Sequence, residues 1–106
     1  MSPLDVTLSA LAAPVRREAV DLLRSGPLRP AELAERLETS RPALSRHLRV
    51  LREAGLVEEH PDPSDGRSHR LHLSPEPLDA LADWVASTRA FWSDALDGFA
   101  EHMEVS

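Results

Sequence analysis

Residues 39–57 read Thr39-Ser40-Arg41-Pro42-Ala43-Leu44-Ser45-Arg46-His47-Leu48-Arg49-Val50-Leu51-Arg52-Glu53-Ala54-Gly55-Leu56-Val57, and this stretch decides the fold. Ser40 (or Thr39) can accept a hydrogen bond from an orphan backbone N–H at a helix start, and Pro42 falls in the first turn, where its missing donor costs little. Gly55 supplies the left-handed residue that ends a helix, and Leu56-Val57 reads as the start of a strand. At about 100° per residue, Arg41, Pro42, Ser45, Arg46, Arg49, Arg52 and Glu53 fill one arc, and Ala43, Leu44, His47, Leu48, Val50 and Leu51 fill the other. No acidic residue occurs from Arg41 to Arg52. The stretch therefore predicts a packed helix whose outer face is cationic and suited to an anionic partner.

The balance of the whole chain points elsewhere until it is divided. Over 106 residues the formal net charge is -6. Residues 1–75 carry eleven arginines against eleven acids, whereas residues 76–106 carry seven acids against Arg89 alone. The deficit lies entirely in the C-terminal segment, so local charge is the relevant quantity, and it is compatible with nucleic acid. The length suits one domain, residues 1–106, with a modest core. With no cysteine, disulfides, thiolate metal sites and thiol redox sensing are excluded. No apolar run is long enough to cross a membrane and no leader pattern is present, so the expectation is a cytoplasmic protein without a membrane partner.

Outward from the arginine helix, Pro30 predicts a helix to about Leu37 that buries Ala31, Leu33, Ala34 and Leu37, with Glu38-Thr39-Ser40 as a tight turn between the two. A pair of short helices so joined, about residues 30–54, matches a helix-turn-helix, whose second member reads DNA in the major groove. Upstream, Leu4, Leu8 and Leu11 mark a short helix over 4–12. Pro14 opens another over 15–24 with Val15, Ala19, Leu22 and Leu23 inward, and Ser25-Gly26-Pro27 stops it. Downstream, residues 56–60 and 68–73 predict a hairpin, about residues 56–73 in all, joined through Pro61-Asp62-Pro63-Ser64-Asp65-Gly66-Arg67, a connection rich in turn formers that contains Asp65-Gly66. This is a candidate wing.

The last predicted helix runs from about Pro75 to residue 102 or 103. It holds every aromatic residue of the chain: Trp84, Phe91, Trp92 and Phe99. Together with Leu78, Leu81, Val85, Thr88, Ala95, Leu96 and Met103 they form a stripe near heptad spacing, more than one small domain needs to cover its own core. The expected dimer interface is Leu81, Trp84, Val85, Thr88, Phe91, Trp92, Ala95 and Phe99. The same stripe is also a candidate lining for an apolar effector.

Arg16-Arg17, Glu32-Leu33-Ala34, residues 40–48, residues 51–57 and Gly66-Arg67 together resemble the ArsR-type winged helix-turn-helix family, over roughly residues 4–75. The resemblance implies an α+β, mostly helical fold with a two-stranded wing and a long C-terminal dimerisation helix. It also implies a homodimeric bacterial transcription regulator, usually a repressor released from its operator by an effector, with Arg41, Pro42, Ser45 and Arg46 at the DNA-contacting positions. The chain departs from the family pattern in three places. Ala13 stands where a capping aspartate is common, which leaves the second helix less well capped. Glu58, Glu59, Asp62 and Asp65 make the wing acidic. The cysteines of metal-sensing members are absent.

Arg41 and Arg46, near the helix start, are the candidates for base edges, guanine among them, and Arg49 and Arg52 for phosphates. Arg67 and Arg70 are the candidates from the wing. His47 lies on the apolar arc and reads as a packed histidine. His69 and His72 point to opposite faces of a strand and cannot share a metal, although His60 can approach one of them across the hairpin. Asp94, Asp97, Glu101, His102 and Glu104 read as a solvated acidic face, so neither a metal nor any other cofactor is expected. Ser45 and His47 point away from each other on one helix, and no phosphate-binding glycine loop or other enzyme signature is present. The expected partners are double-stranded DNA, a second copy of the chain and a small-molecule effector. Two other readings stand beside this one: a metal-responsive repressor using a histidine/carboxylate site on the last helix, and a winged-helix protein-interaction module.

Overall fold

A computed structural model describes the backbone of residues 1–105 and the side chains of residues 1–102. Met103 and Glu104, named above, lie outside the described side chains. In chain order the elements are α1 (Pro3–Leu11), α2 (Pro14–Leu23), α3 (Pro30–Arg36), α4 (Arg41–Glu53), β1 (Val57–Asp62), β2 (Asp65–Leu73) and α5 (Glu76–Val105). This is a winged helix-turn-helix with a two-stranded antiparallel wing.

Each helix begins where its first residues can satisfy or dispense with N–H donors. Ser2 and Asp5 form a capping box on α1, with Asp5 N–H donating to Ser2 Oγ at 3.2 Å and Ser2 N–H to Asp5 Oδ2 at 3.3 Å. Ala13 precedes α2 with no side-chain cap, as its residue type dictates. Ser40, rather than Thr39, caps α4, accepting from Ala43 N–H at 3.2 Å. The ends of α3 and α4 share one device. Gly55, at φ 74, follows α4, and Leu56 N–H donates back to Leu51 C=O at 2.9 Å. Glu38, at φ 53, does the same for α3, and Thr39 N–H donates to Ala34 C=O at 3.0 Å. Both are left-handed helix terminations, the second made without glycine.

Leu33, Leu44, Leu51, Leu56 and Leu71 are the largest fully buried side chains, joined by Ala10, Ala19, Leu23, Ala34, Leu48 and Val57. The core thus lies where α2, α3 and α4 meet the root of the wing. In α1 the buried residues are Thr7 and Ala10, and Leu8 is exposed; two small side chains on one face let the helix approach closely. One sequence expectation is corrected: in α3, Ala31 is exposed, because the inward face of this seven-residue helix is taken by Leu33 and Ala34.

The wing also differs from its expected form. Strands reach to Asp62 and back from Asp65, so the expected connection over 61–67 shortens to the turn Pro63-Ser64, and Asp65-Gly66 belongs to β2. Proline presets φ, Asp62 Oδ1 accepts from both Ser64 N–H (2.9 Å) and Ser64 Oγ (2.7 Å), and a register shift between Pro61 and Asp62 absorbs the geometry. Val57 faces Leu73 and Glu59 faces Leu71 in the ladder. Leu28, between α2 and α3, pairs with Leu71 through two backbone bonds of 3.2 and 2.7 Å, which fastens the wing to the helices.

Leu51 has no exposed surface and belongs to this central cluster. Leu51→Ala is expected to destabilise the chain by about 2–5 kcal/mol, as deletion of a buried leucine does. Urea unfolding followed by circular dichroism measures it.

Candidate nucleic-acid interface

The outer face of α4 is as the sequence dictates. Arg41, Pro42, Ser45, Arg46, Arg49 and Arg52 are exposed, while Leu44, Leu48 and Leu51 anchor the opposite face in the core. Arg41, Arg46 and Arg49 form no ion pair among the described residues, so their guanidinium groups are available to an external anion. Arg52 differs, donating from Nη1 to Glu59 Oε2 on β1 at 3.2 Å.

In the wing, Arg67 is exposed at the hairpin tip. Arg70 is turned inward and donates from Nε to Asp62 Oδ2 at 3.0 Å. Arg29, a residue that sequence reasoning passed over, donates to the same oxygen from Nη2 (2.9 Å) and Nε (3.2 Å). The Asp62 side chain is fully shielded from solvent. The hydrogen bonds from Ser64, then those from Arg29 and Arg70, hold its carboxyl far below the usual carboxylate range. The signal for Arg29 lay only in its place before Pro30, where its backbone N–H donates to Glu32 Oε1 at 3.2 Å and starts α3.

The wing's acidity is therefore largely matched within the fold. Asp62 has two arginines and Glu59 has Arg52. Asp65 accepts from Arg67 N–H at 3.1 Å and Ser68 Oγ at 2.9 Å. Glu58 lies 2.9 Å from His60 Nε2, and this bond lowers its pKa. His60 does approach His72, edge to face at 4.9 Å between ring centroids. Among the described residues, no group of three or more His, Cys, Asp or Glu side chains is placed to hold a metal ion.

His47 is half-buried on the inner side of α4, and its Nδ1 lies 3.2 Å from Arg16 Nη1. Arginine can only donate, so Nδ1 accepts and the ring proton sits on Nε2. Arg16 also donates from Nε to Ala10 C=O (2.6 Å) and from Nη2 to Ser9 C=O (3.3 Å). Arg17 Nη1 donates to the carbonyls of Leu11 (2.7 Å) and Ala12 (3.1 Å). The paired arginines thus satisfy the open C-terminal carbonyls of α1, and one of them ties that helix end to α4.

On α5, Trp84, Val85, Phe91, Trp92, Ala95 and Phe99 are exposed and Leu81 and Thr88 half-exposed, with Phe91, Trp92 and Phe99 showing 70%, 60% and 62% of their surface. This is a continuous apolar face, which soluble proteins seldom leave open. No helix among the described residues is long and apolar enough to cross a membrane.

Comparison with known proteins agrees with this geometry. The model of the family described as "Bacterial regulatory protein, arsR family" matches residues 13–59. Over 97 residues the chain is 41% identical to the HTH-type transcriptional regulator Rv2034 of Mycobacterium tuberculosis, covering 92% of this chain and 85% of that protein. It is 36% identical over 78 residues to the arsenical resistance operon repressor of Staphylococcus xylosus, covering 74% and 72% respectively. Among solved structures, the ArsR-like transcriptional regulator from Rhodococcus sp. RHA1 matches with a TM-score of 0.79 at 29% identity, covering 92% of this chain and 89% of that one.

Burial first, then the charges of Arg16 and Arg46, lower the pKa of His47 below the ordinary histidine value. Below about pH 6.5 the unfolded chain takes up a proton that the folded ring resists, so stability is lost as the pH falls through that value. His47→Gln keeps an acceptor that does not titrate. Between pH 7 and pH 5 the melting temperature of the wild type is expected to fall further than that of His47→Gln, measured by thermal melts in matched buffers.

Proposed function

The chain belongs to the ArsR family and is a DNA-binding transcription regulator, not an enzyme, and we propose that it acts in the cytoplasm as a homodimeric repressor of a twofold-symmetric operator, released by a small-molecule effector. The observation that carries the reading is the outer face of α4, where Arg41, Arg46 and Arg49 stand exposed without an acidic partner among the described residues. In this reading residues 1–106 work as one domain. Arg41, Pro42, Ser45 and Arg46 meet the DNA near the start of the helix, with Arg46 on a base edge. Arg49 and Arg52 lie on phosphates further along, and Arg67 and Arg70 act from the wing.

The exposed stripe on α5 supports self-association. A second copy would cover Leu81, Trp84, Val85, Thr88, Phe91, Trp92, Ala95 and Phe99 and place two reading helices about one DNA turn apart, 10–10.5 bp, or a multiple of it. The first helix packs against α5, and its Leu8 is exposed. An open crevice of about 470 Å³ between the starts of α1 and α5 and the end of α4, lined by Val6, Thr7, Glu53, Ala54, Pro77 and Ala80 among others, supports the effector. A ligand there touches both the reading helix and the dimerisation helix, and it shifts DNA affinity only insofar as it prefers one relative placement of the two.

The test is binding of the pure protein to its own upstream DNA and to an unrelated duplex. Arg46→Ala is expected to weaken operator binding by about 1–3 kcal/mol and to relax base preference at one position per half-site. Equal affinity of the wild type for both duplexes would refute sequence-specific regulation. For the dimer, light scattering should give twice the chain mass for the wild type and a monomer for Trp92→Asp, with helical content retained. A wild-type monomer would rule out the twofold model.

A further inference from the structure

Between the start of α3, the start of α4 and the wing lies an open cleft of about 310 Å³, lined by Arg29, Arg41, Glu59, Ser68 and His69 with Pro30 and Ala31 at its wall. The matched charges of the wing decide its character. Glu59, the one carboxylate in the lining, accepts from Arg52. Arg29 shares Asp62 with Arg70, so two guanidinium groups face one carboxylate and a positive charge is left over. A guanidinium has five N–H donors, and Asp62 takes one from Nε and one from Nη2 of Arg29, leaving three. Arg41, the first residue of α4, is exposed and has no acidic partner among the described residues. The exposed ring of His69 stands on the opposite, wing side of the cleft.

We propose that this cleft seats one phosphodiester of the DNA backbone, gripped by Arg29 and Arg41 from the helices and by His69 from the wing. The proposal rests on the reading in which α4 enters the major groove. A helix-turn-helix contacts base edges with the first residues of its reading helix, so a strand of backbone passes beside that end. Guanidinium groups hold phosphate oxygens through paired, charge-assisted bonds, and two from different elements fix the position of one phosphate. The seat is a register device. It sets how far α4 slides along the groove without reading any base.

The experiment uses the full chain and duplexes in which a single phosphate is replaced by a neutral methylphosphonate, stepped through the site. One position per half-site is expected at which the replacement weakens wild-type binding several-fold yet weakens Arg41→Ala and His69→Ala no further. Each of these variants should also lower affinity for operator and unrelated duplex by a similar factor, and Arg41→Ala should flatten the dependence of log affinity on log salt by about 0.9. Arg29→Lys, which keeps the charge that Asp62 needs, should show the same coupling in weaker form. An unchanged salt slope in Arg41→Ala would overturn the seat. So would tight binding of inorganic phosphate that leaves duplex affinity unaltered, since the cleft would then serve a free anion. Should the wild type fail to prefer its operator, the operator reading falls, and the seat stands or falls on the salt slope with the unrelated duplex.

Discussion

The carboxylate of Asp62 is the fixed point of the half of the molecule that holds the helix-turn-helix and the wing. It is shut off from water and receives Arg29 from the start of α3, Arg70 from β2, and both the N–H and the hydroxyl of Ser64 in the hairpin turn. A buried carboxylate without partners is strongly unfavourable, so the fold that fills its acceptor sites is favoured over those that leave them empty. The donors come from three places in the chain, and they coincide only when the wing lies at one angle to the helix-turn-helix. The backbone pairing of Leu28 with Leu71 adds a second, uncharged fastening beside it. The wing is therefore a braced extension of the reading domain.

A comparable junction joins the reading helix to the other end of the molecule. Arg16 reaches from α2 to the last carbonyls of α1 and to His47 on the inner side of α4. Because α1 packs against α5, the helix that carries the exposed aromatic face is linked through one guanidinium to the helix that carries the exposed arginines. The molecule measures 70 × 27 × 25 Å, and the two surfaces lie on different elements of it. Arg16, itself on α2, thereby bonds to both α1 and α4.

Much of this was legible in the chain of residues. Ser40, Pro42 and Gly55 delimit α4 by local chemistry, and its apolar residues recur at helical spacing, so both its ends and its two faces could be read in advance. The cationic outer face followed directly, as did the aromatic stripe of α5. The turn of the wing was bracketed but not located, because Pro63-Ser64 and Asp65-Gly66 are both local turn signals. The competing Pro63-Ser64 turn wins through the side chain of Asp62, whose environment depends on residues far away in sequence. The end of α3 carries no glycine to announce it, and Glu38 takes the left-handed conformation there while Thr39 N–H closes onto Ala34 C=O. In α1 the leucines marked the helix, but close packing selected Thr7 and Ala10 for its buried face.

The sequence by itself determined the elements whose causes are local: helix caps, periodic apolar faces, the cationic arc of α4 and the unpartnered stripe of α5. Tertiary structure alone decided which charges remain available. Counting residues made the wing acidic, yet Asp62 and Glu59 each meet arginines brought from other elements, and Arg29 emerges beside Arg41 across 12 positions of sequence. Helical and strand patterns arise from backbone geometry over a few residues. The net charge of a surface depends on which distant side chains neutralise one another, and that is settled only when the chain has folded.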